Sequence, residues 1–117
     1  MNEGLVPSLV KFMRSLAVLG LPAESQVQWL NSLGLPGNAY EADELAHEFG
    51  DGVLLVRQLV DHGWISEIAA DKIQELDDFL GEMSGPEHAE IWKVSALGQA
   101  SEWAKVRDMA VNILLLL

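Results

Sequence analysis

Residues 66 to 86 read SEIAADKIQELDDFLGEMSGP, and this stretch decides the fold class. Wound at about 100° per residue, Ile65, Ile68, Ala69, Ile73, Leu76, Leu80 and Met83 fall on one broad apolar face. Ser66 stands where its hydroxyl can accept from the first backbone amides, which predicts a helix start. Ser84-Gly85-Pro86 predicts its end near Met83. A second face carries Glu67, Asp71, Glu75, Asp78 and Glu82 as one negative stripe, with Phe79 at its edge. Each like-charged neighbour one turn away destabilises a helix by about 0.2–0.5 kcal/mol, so the stripe costs about 1–2 kcal/mol. Asp77, Asp78 and Glu82 also crowd the helix C-terminus, where the dipole favours cations. Only Lys72 relieves them locally. A domain with about 5–15 kcal/mol of stability tolerates that cost.

The same 3.6-residue periodicity extends outward in both directions. Upstream, helices are predicted over Pro7–Leu19, from Pro22 or Ala23 to Leu33, near Glu41–Glu48, and over Val53–His62. The tetrapeptide LGLP occurs at Leu19–Pro22 and again at Leu33–Pro36. Glycine accepts the left-handed conformation just past a helix end, and the next apolar residue then folds back on the last turn. Leu21 would cover Leu16, and Leu35 would cover Leu30. Gly63-Trp64 repeats the device over Leu59. Gly37-Asn38-Ala39 reads as a loop, and Gly50-Asp51-Gly52 as a break between two helices. Downstream, a short helical turn is expected at Glu87–Trp92, and a last helix from Ser101 to the C-terminus. No stretch alternates with period two for long enough to form a strand. The sequence therefore predicts one all-α domain over residues 1–117, a compact bundle of five to six helices with short loops.

Charge is distributed unevenly. The chain of 117 residues has 18 acids and 7 bases. Residues 41 to 90 hold 14 of the acids, with Arg57 and Lys72 the bases among them, for a net −12. Residues 1 to 40 balance, and residues 91 to 117 come to +1. Such a surface repels nucleic acid and anionic membranes and attracts basic proteins. There are no cysteines, so disulfides and thiolate metal sites are excluded. No run approaches the roughly 20 apolar residues of a membrane span. The apolar stretch Leu16–Ala23 is interrupted by Gly20 and Pro22 and has Glu3 upstream, unlike a signal peptide. The expectation is a cytoplasmic protein with no membrane association.

The chain carries fragments of catalytic and metal motifs but completes none. Glu44 and His47 make one Glu-x-x-His step, but neither His62 nor His88 supplies the second that a di-iron bundle needs. Taking Asp43 as the first ligand of a calcium loop puts Leu45 and His47 at the third and fifth positions, which does not match. Gly50-Asp51-Gly52 lacks the length and the lysine of a phosphate-binding loop. No serine lies in Gly-x-Ser-x-Gly. The sequence predicts neither an enzyme nor a cofactor.

Partner binding is the remaining class. The stripe is either a solvated face that keeps the protein soluble, neutralised in part by Lys11, Arg14, Lys93, Lys105 or Arg107, or a docking surface for a basic protein. The second cluster, Asp43, Glu44, Glu48 and Asp51 together with Glu41, strengthens the docking reading. Phe79 and Trp92 are the candidate aromatic anchors. Trp103 leads Val106, Ala110, Ile113, Leu114 and Leu117 as the core stripe of the last helix. Met109, Val111, Leu115 and Leu116 lie off that stripe, so this helix is either central in the bundle or a homo-oligomer contact or partner groove.

The run from Asp43 through Gly63-Trp64 to Met83-Ser84-Gly85 resembles small acidic helical bacterial proteins of immunity type, those of polymorphic-toxin and contact-dependent inhibition systems. The resemblance implies a stoichiometric inhibitor that covers the basic surface of a toxin, often a nuclease, whose substrate groove is positive. The alternative is a structural or adaptor subunit, or a homo-oligomer, held through the apolar C-terminal helix.

Overall fold

The computed structural model describes residues 5–32, 43–84 and 86–117. They form six α-helices and two 3-10 helices, with no strand among the described residues. The α-helices are α1 (Leu5–Leu19), α2 (Ala23–Ser32), α3 (Asp43–Val53), α4 (Val56–Asp61), α5 (Glu67–Glu82) and α6 (Ser101–Leu114). The 3-10 helices, Pro86–Trp92 and Val94–Ala96, join α5 to α6. The protein is all-α. Helix α5 begins as read: Ser66 is extended, and its hydroxyl accepts from the Ala69 amide at 3.1 Å.

One apolar cluster holds these helices together. It takes Phe12, Leu16 and Leu19 from α1, Leu30 from α2, Leu45 and Phe49 from α3, and Leu59 from α4. Helix α5 adds Ala69, Ile73, Leu76 and Leu80, and α6 adds Trp103, Val106, Ala110 and Ile113. Helix α1 packs chiefly on α3 and α6, and α6 in turn on α5. Where α1 meets α3, the Phe12 and Phe49 rings stack with centroids 5.5 Å apart.

That contact corrects the reading of Gly50-Asp51-Gly52. The helix does not break there; α3 runs through it to Val53. A Cβ on Gly52 would lie within 3.0 Å of Cδ1, Cγ and Cε1 of Phe12. Gly52 is therefore the point where α1 crosses α3, and its missing side chain makes room for an aromatic ring. A turn follows, with the Leu55 amide on the Gly52 carbonyl at 2.9 Å, and α4 is shorter than expected.

The two glycine stops also differ. Gly63 has φ +77°, its amide donates to the Val60 carbonyl, and the Trp64 amide donates to the Leu59 carbonyl, both at 2.9 Å. This pair of bonds is the Schellman closure expected at the end of α4. At Gly20 no left-handed residue forms, since Gly63 has the only positive φ among the described residues. The end of α1 is closed by a side chain instead: fully buried Gln26 donates from Nε2 to the Val18 and Leu19 carbonyls, at 3.1 and 3.0 Å. Its Oε1 accepts from Arg107 of α6 at 3.4 Å, and Arg107 also donates to the Leu97 carbonyl at 2.8 Å. The second LGLP, the loop Gly37-Asn38-Ala39 and the predicted helix start at Glu41 lie outside the described residues.

Helix α6 packs against both α1 and α5, but it is not covered on all sides. Its C-terminal end stands at the surface, where Val111, Leu115, Leu116 and Leu117 are exposed; Leu117 thus leaves the core stripe in which it was placed.

Candidate partner-binding surface

Helix α5 carries six acids and Lys72, and the structure shows which of them the fold neutralises. Glu67 is held by Arg57 of α4, whose Nη1 and Nη2 donate to the two carboxylate oxygens at 2.9 and 3.4 Å. The hydrogen bond first, and the charge second, hold the Glu67 carboxyl below its ordinary value, and the same pair raises the Arg57 guanidinium. Glu75 pairs with Lys72 on its own helix at 3.3 Å. Asp78 accepts only a neutral amide hydrogen, from Gln74 at 2.9 Å. Asp71 and Glu82 are exposed and make no hydrogen bond or ion pair among the described residues, though the charge of Asp71 helps to raise the Arg57 guanidinium. All five stripe carboxylates belong to exposed residues.

Three of the five cations that could have covered the stripe are engaged elsewhere. Arg14 donates to Glu48 at 2.7 Å, Lys93 to Glu90 at 3.0 Å, and Arg107 points at Gln26 and Leu97. Lys11 lines a hollow on α1 and α3 together with Glu48 and Asp51. Lys105 of α6 comes near, but its Nζ sits over the Phe79 ring, 4.5 Å from the centroid. The outward face of α5 therefore stays net negative.

The second acidic cluster has a different character. Asp43 is the first residue of α3. Glu44 is half-buried, Glu48 is paired to Arg14, and Asp51 faces His47 one turn away at 3.9 Å. Of these acids, Glu48 is the one paired with a base of α1, Arg14. Among the described residues no group of three or more His, Cys, Asp or Glu could hold a metal ion.

Both aromatic candidates are tied into the fold. Trp92 is half-buried; its Nε1 donates to the Met83 carbonyl at 2.7 Å, and its ring meets Trp103 edge-on at 5.2 Å. Trp103 donates likewise to the Ile91 carbonyl at 2.7 Å, so the two indoles clamp the 3-10 segment between α5 and α6. Phe79 is half-buried against the core under Lys105.

The exposed apolar residue beside the stripe is Ile68, 64% accessible, which the sequence reading had placed in the core. On the helical wheel it lies about 60° from the midline of the stripe and about 115° from that of the buried residues. That offset was the signal that could have found it. Toward α6, Lys72, Glu75, Met109, Asn112, Ile113 and Leu116 line a hollow of about 400 Å³. Ile113 is buried, Met109 half-buried and Leu116 exposed.

Comparison with family models, with curated proteins and with solved structures found no match. Among the described residues no helix is long and apolar enough to cross a membrane.

Proposed function

We propose that this chain is an acidic protein-binding module, an immunity-type inhibitor that occludes the basic surface of a toxin in the cytoplasm and performs no catalysis of its own. The observation that carries this reading is the outward face of α5, on which Asp71 and Glu82 make no ion pair or hydrogen bond among the described residues, while Arg14, Lys93 and Arg107 are engaged elsewhere. An acidic face of this kind speeds encounter with a cationic partner and suppresses binding to nucleic acid. A nuclease groove is one such partner, because carboxylates presented on a rigid helix compete there with phosphate. The test is co-expression of the tagged chain with the products of adjacent genes, followed by a pull-down washed at low and then high salt. A single basic protein held one to one, with its activity inhibited, supports the proposal. Recovery of the chain alone, or of a self-assembly, rejects it.

A structural or adaptor role is the second reading. It is favoured by the apolar end of α6, where Leu115 is 79% and Leu116 44% exposed. An assembly of that kind survives high salt, because apolar burial is not screened.

A further inference from the structure

The hollow between α5 and α6 has a chemistry of its own. The two helices run in opposite directions: Lys105 lies over Phe79, while Lys72 and Glu75 share a hollow with Met109, Asn112 and Leu116. Moving toward the start of α5 thus means moving toward the end of α6. Buried Ile113, half-buried Met109 and exposed Leu116 line the hollow. Ile68 lies one turn before Lys72 on α5 and is 64% accessible. With Ile68 and Lys72 one turn apart on one side of α5, apolar surface is offered beyond the hollow's rim, which suits an elongated occupant better than a small molecule.

Charge chooses the occupant. The α5 rim is acidic, with Asp71 in no ion pair or hydrogen bond among the described residues and Lys72 already committed to Glu75. The α6 side contributes neutral Asn112. A second copy of this chain would bring another net charge of −11 against the same rim. A helix with one apolar side and one cationic side satisfies both surfaces at once. We propose that this groove seats a basic amphipathic helix of the partner, its apolar side on Ile68, Met109 and Leu116 and its cations toward Asp71 and Glu75. The inference rests on the proposed function and specifies the partner's contacting element.

The experiment uses the full chain and three synthetic peptides of 14 residues, the length of α6. The first places leucine on one side of a helix and lysine on the other. The second has the same composition scrambled so that the two do not segregate. The third replaces lysine with glutamate. Binding is followed by titration and mapped by NMR on the methyl groups. The expected result is saturable one-to-one binding of the first peptide. Its shifts should centre on Ile68, Met109, Ile113 and Leu116, with roughly tenfold or greater weakening for the other two peptides. Ile68→Ser with Leu116→Ser should weaken the first peptide by a similar factor; both residues are exposed, so the fold is kept. Shifts spread over all acidic residues or centred on Val6, Val10 and Met13 of α1, or equal binding of the scrambled peptide, overturn the groove assignment. If Asp71→Lys with Glu82→Lys weakens capture of the natural partner while the groove variant does not, the acidic-module reading stands and the groove inference fails. If neither variant affects capture, both fail.

Discussion

Adding a single methyl group at Gly52 or at Gly50, two residues apart on α3, should have opposite effects. At Gly50 an added Cβ meets nothing within 4 Å. Gly50→Ala therefore gains helix propensity, about 0.8–1 kcal/mol. Gly52→Ala gains the same propensity but drives its Cβ to within 3.0 Å of three ring atoms of Phe12. Phe12 is 1% exposed and stacked on Phe49, so the ring cannot swing aside without disturbing the α1–α3 contact. Overpacking of this kind costs about 1–3 kcal/mol. The net expectation for Gly52→Ala runs from near zero to about 2 kcal/mol of destabilisation, and the gap between the two variants equals the overpacking cost of about 1–3 kcal/mol. Urea denaturation at constant m reads that gap directly. Adding Phe12→Leu to Gly52→Ala should recover part of the loss relative to Phe12→Leu alone, because residues in contact are not additive. If Gly52→Ala stabilises the protein as much as Gly50→Ala, α1 does not cross α3 at Gly52, and the packing described here is wrong.

Three further outcomes follow from the same geometry. Gln26→Leu removes the donors to the Val18 and Leu19 carbonyls and the acceptor of Arg107; it should cost about 2–4 kcal/mol in denaturant unfolding, with most of the loss arising from groups left unpaired. Gly63→Ala forces a side chain into φ +77° and should cost about 1–2 kcal/mol, with Gly63→Asn milder. The Glu67 carboxyl titrates below its unfolded value because of Arg57, so its contribution is full above about pH 4.3 and disappears as the pH falls through its lower folded value. The wild-type urea midpoint should therefore drop more steeply than that of Glu67→Gln between about pH 5 and pH 3; parallel curves would remove the Arg57–Glu67 pair from the account.

Residues 66 to 86 were legible because three independent signals agreed: a hydroxyl cap, a helical apolar period and a charged face. Ser66, Ile73, Leu76 and Leu80 stand where those signals put them. Ile68 did not follow, because at the margin of an apolar face the period alone does not say how wide the neighbouring helix is. Glycine was the main source of error. The same residue type closes α4 at Gly63, makes room for a ring at Gly52 and leaves the end of α1 to Gln26, some seven residues away in sequence. The difference lies in tertiary contact, which a local pattern does not encode. The acidic stripe was readable as a stripe; its state of neutralisation was not. Arg57 and Glu67 are ten residues apart and Arg14 and Glu48 thirty-four, and only the fold decides which base meets which acid. The tryptophans illustrate the same limit, since the placement of Trp92 depends on the Met83 carbonyl and on the edge of Trp103.

The central claim is that the outward face of α5 steers a basic partner. The most direct measurement is the association rate of the captured partner as a function of ionic strength, for the wild type and for Asp71→Lys with Glu82→Lys. Neither residue makes an ion pair or hydrogen bond among the described residues; Asp71 adds only its charge to the surroundings of Arg57, and an unchanged urea midpoint confirms an intact fold. The account predicts fast association at low salt that slows steeply as salt is added, and an on-rate reduced by about tenfold or more and nearly independent of salt in the variant. Equal on-rates with equal salt dependence would contradict it and leave the acidic stripe as a solubilising surface.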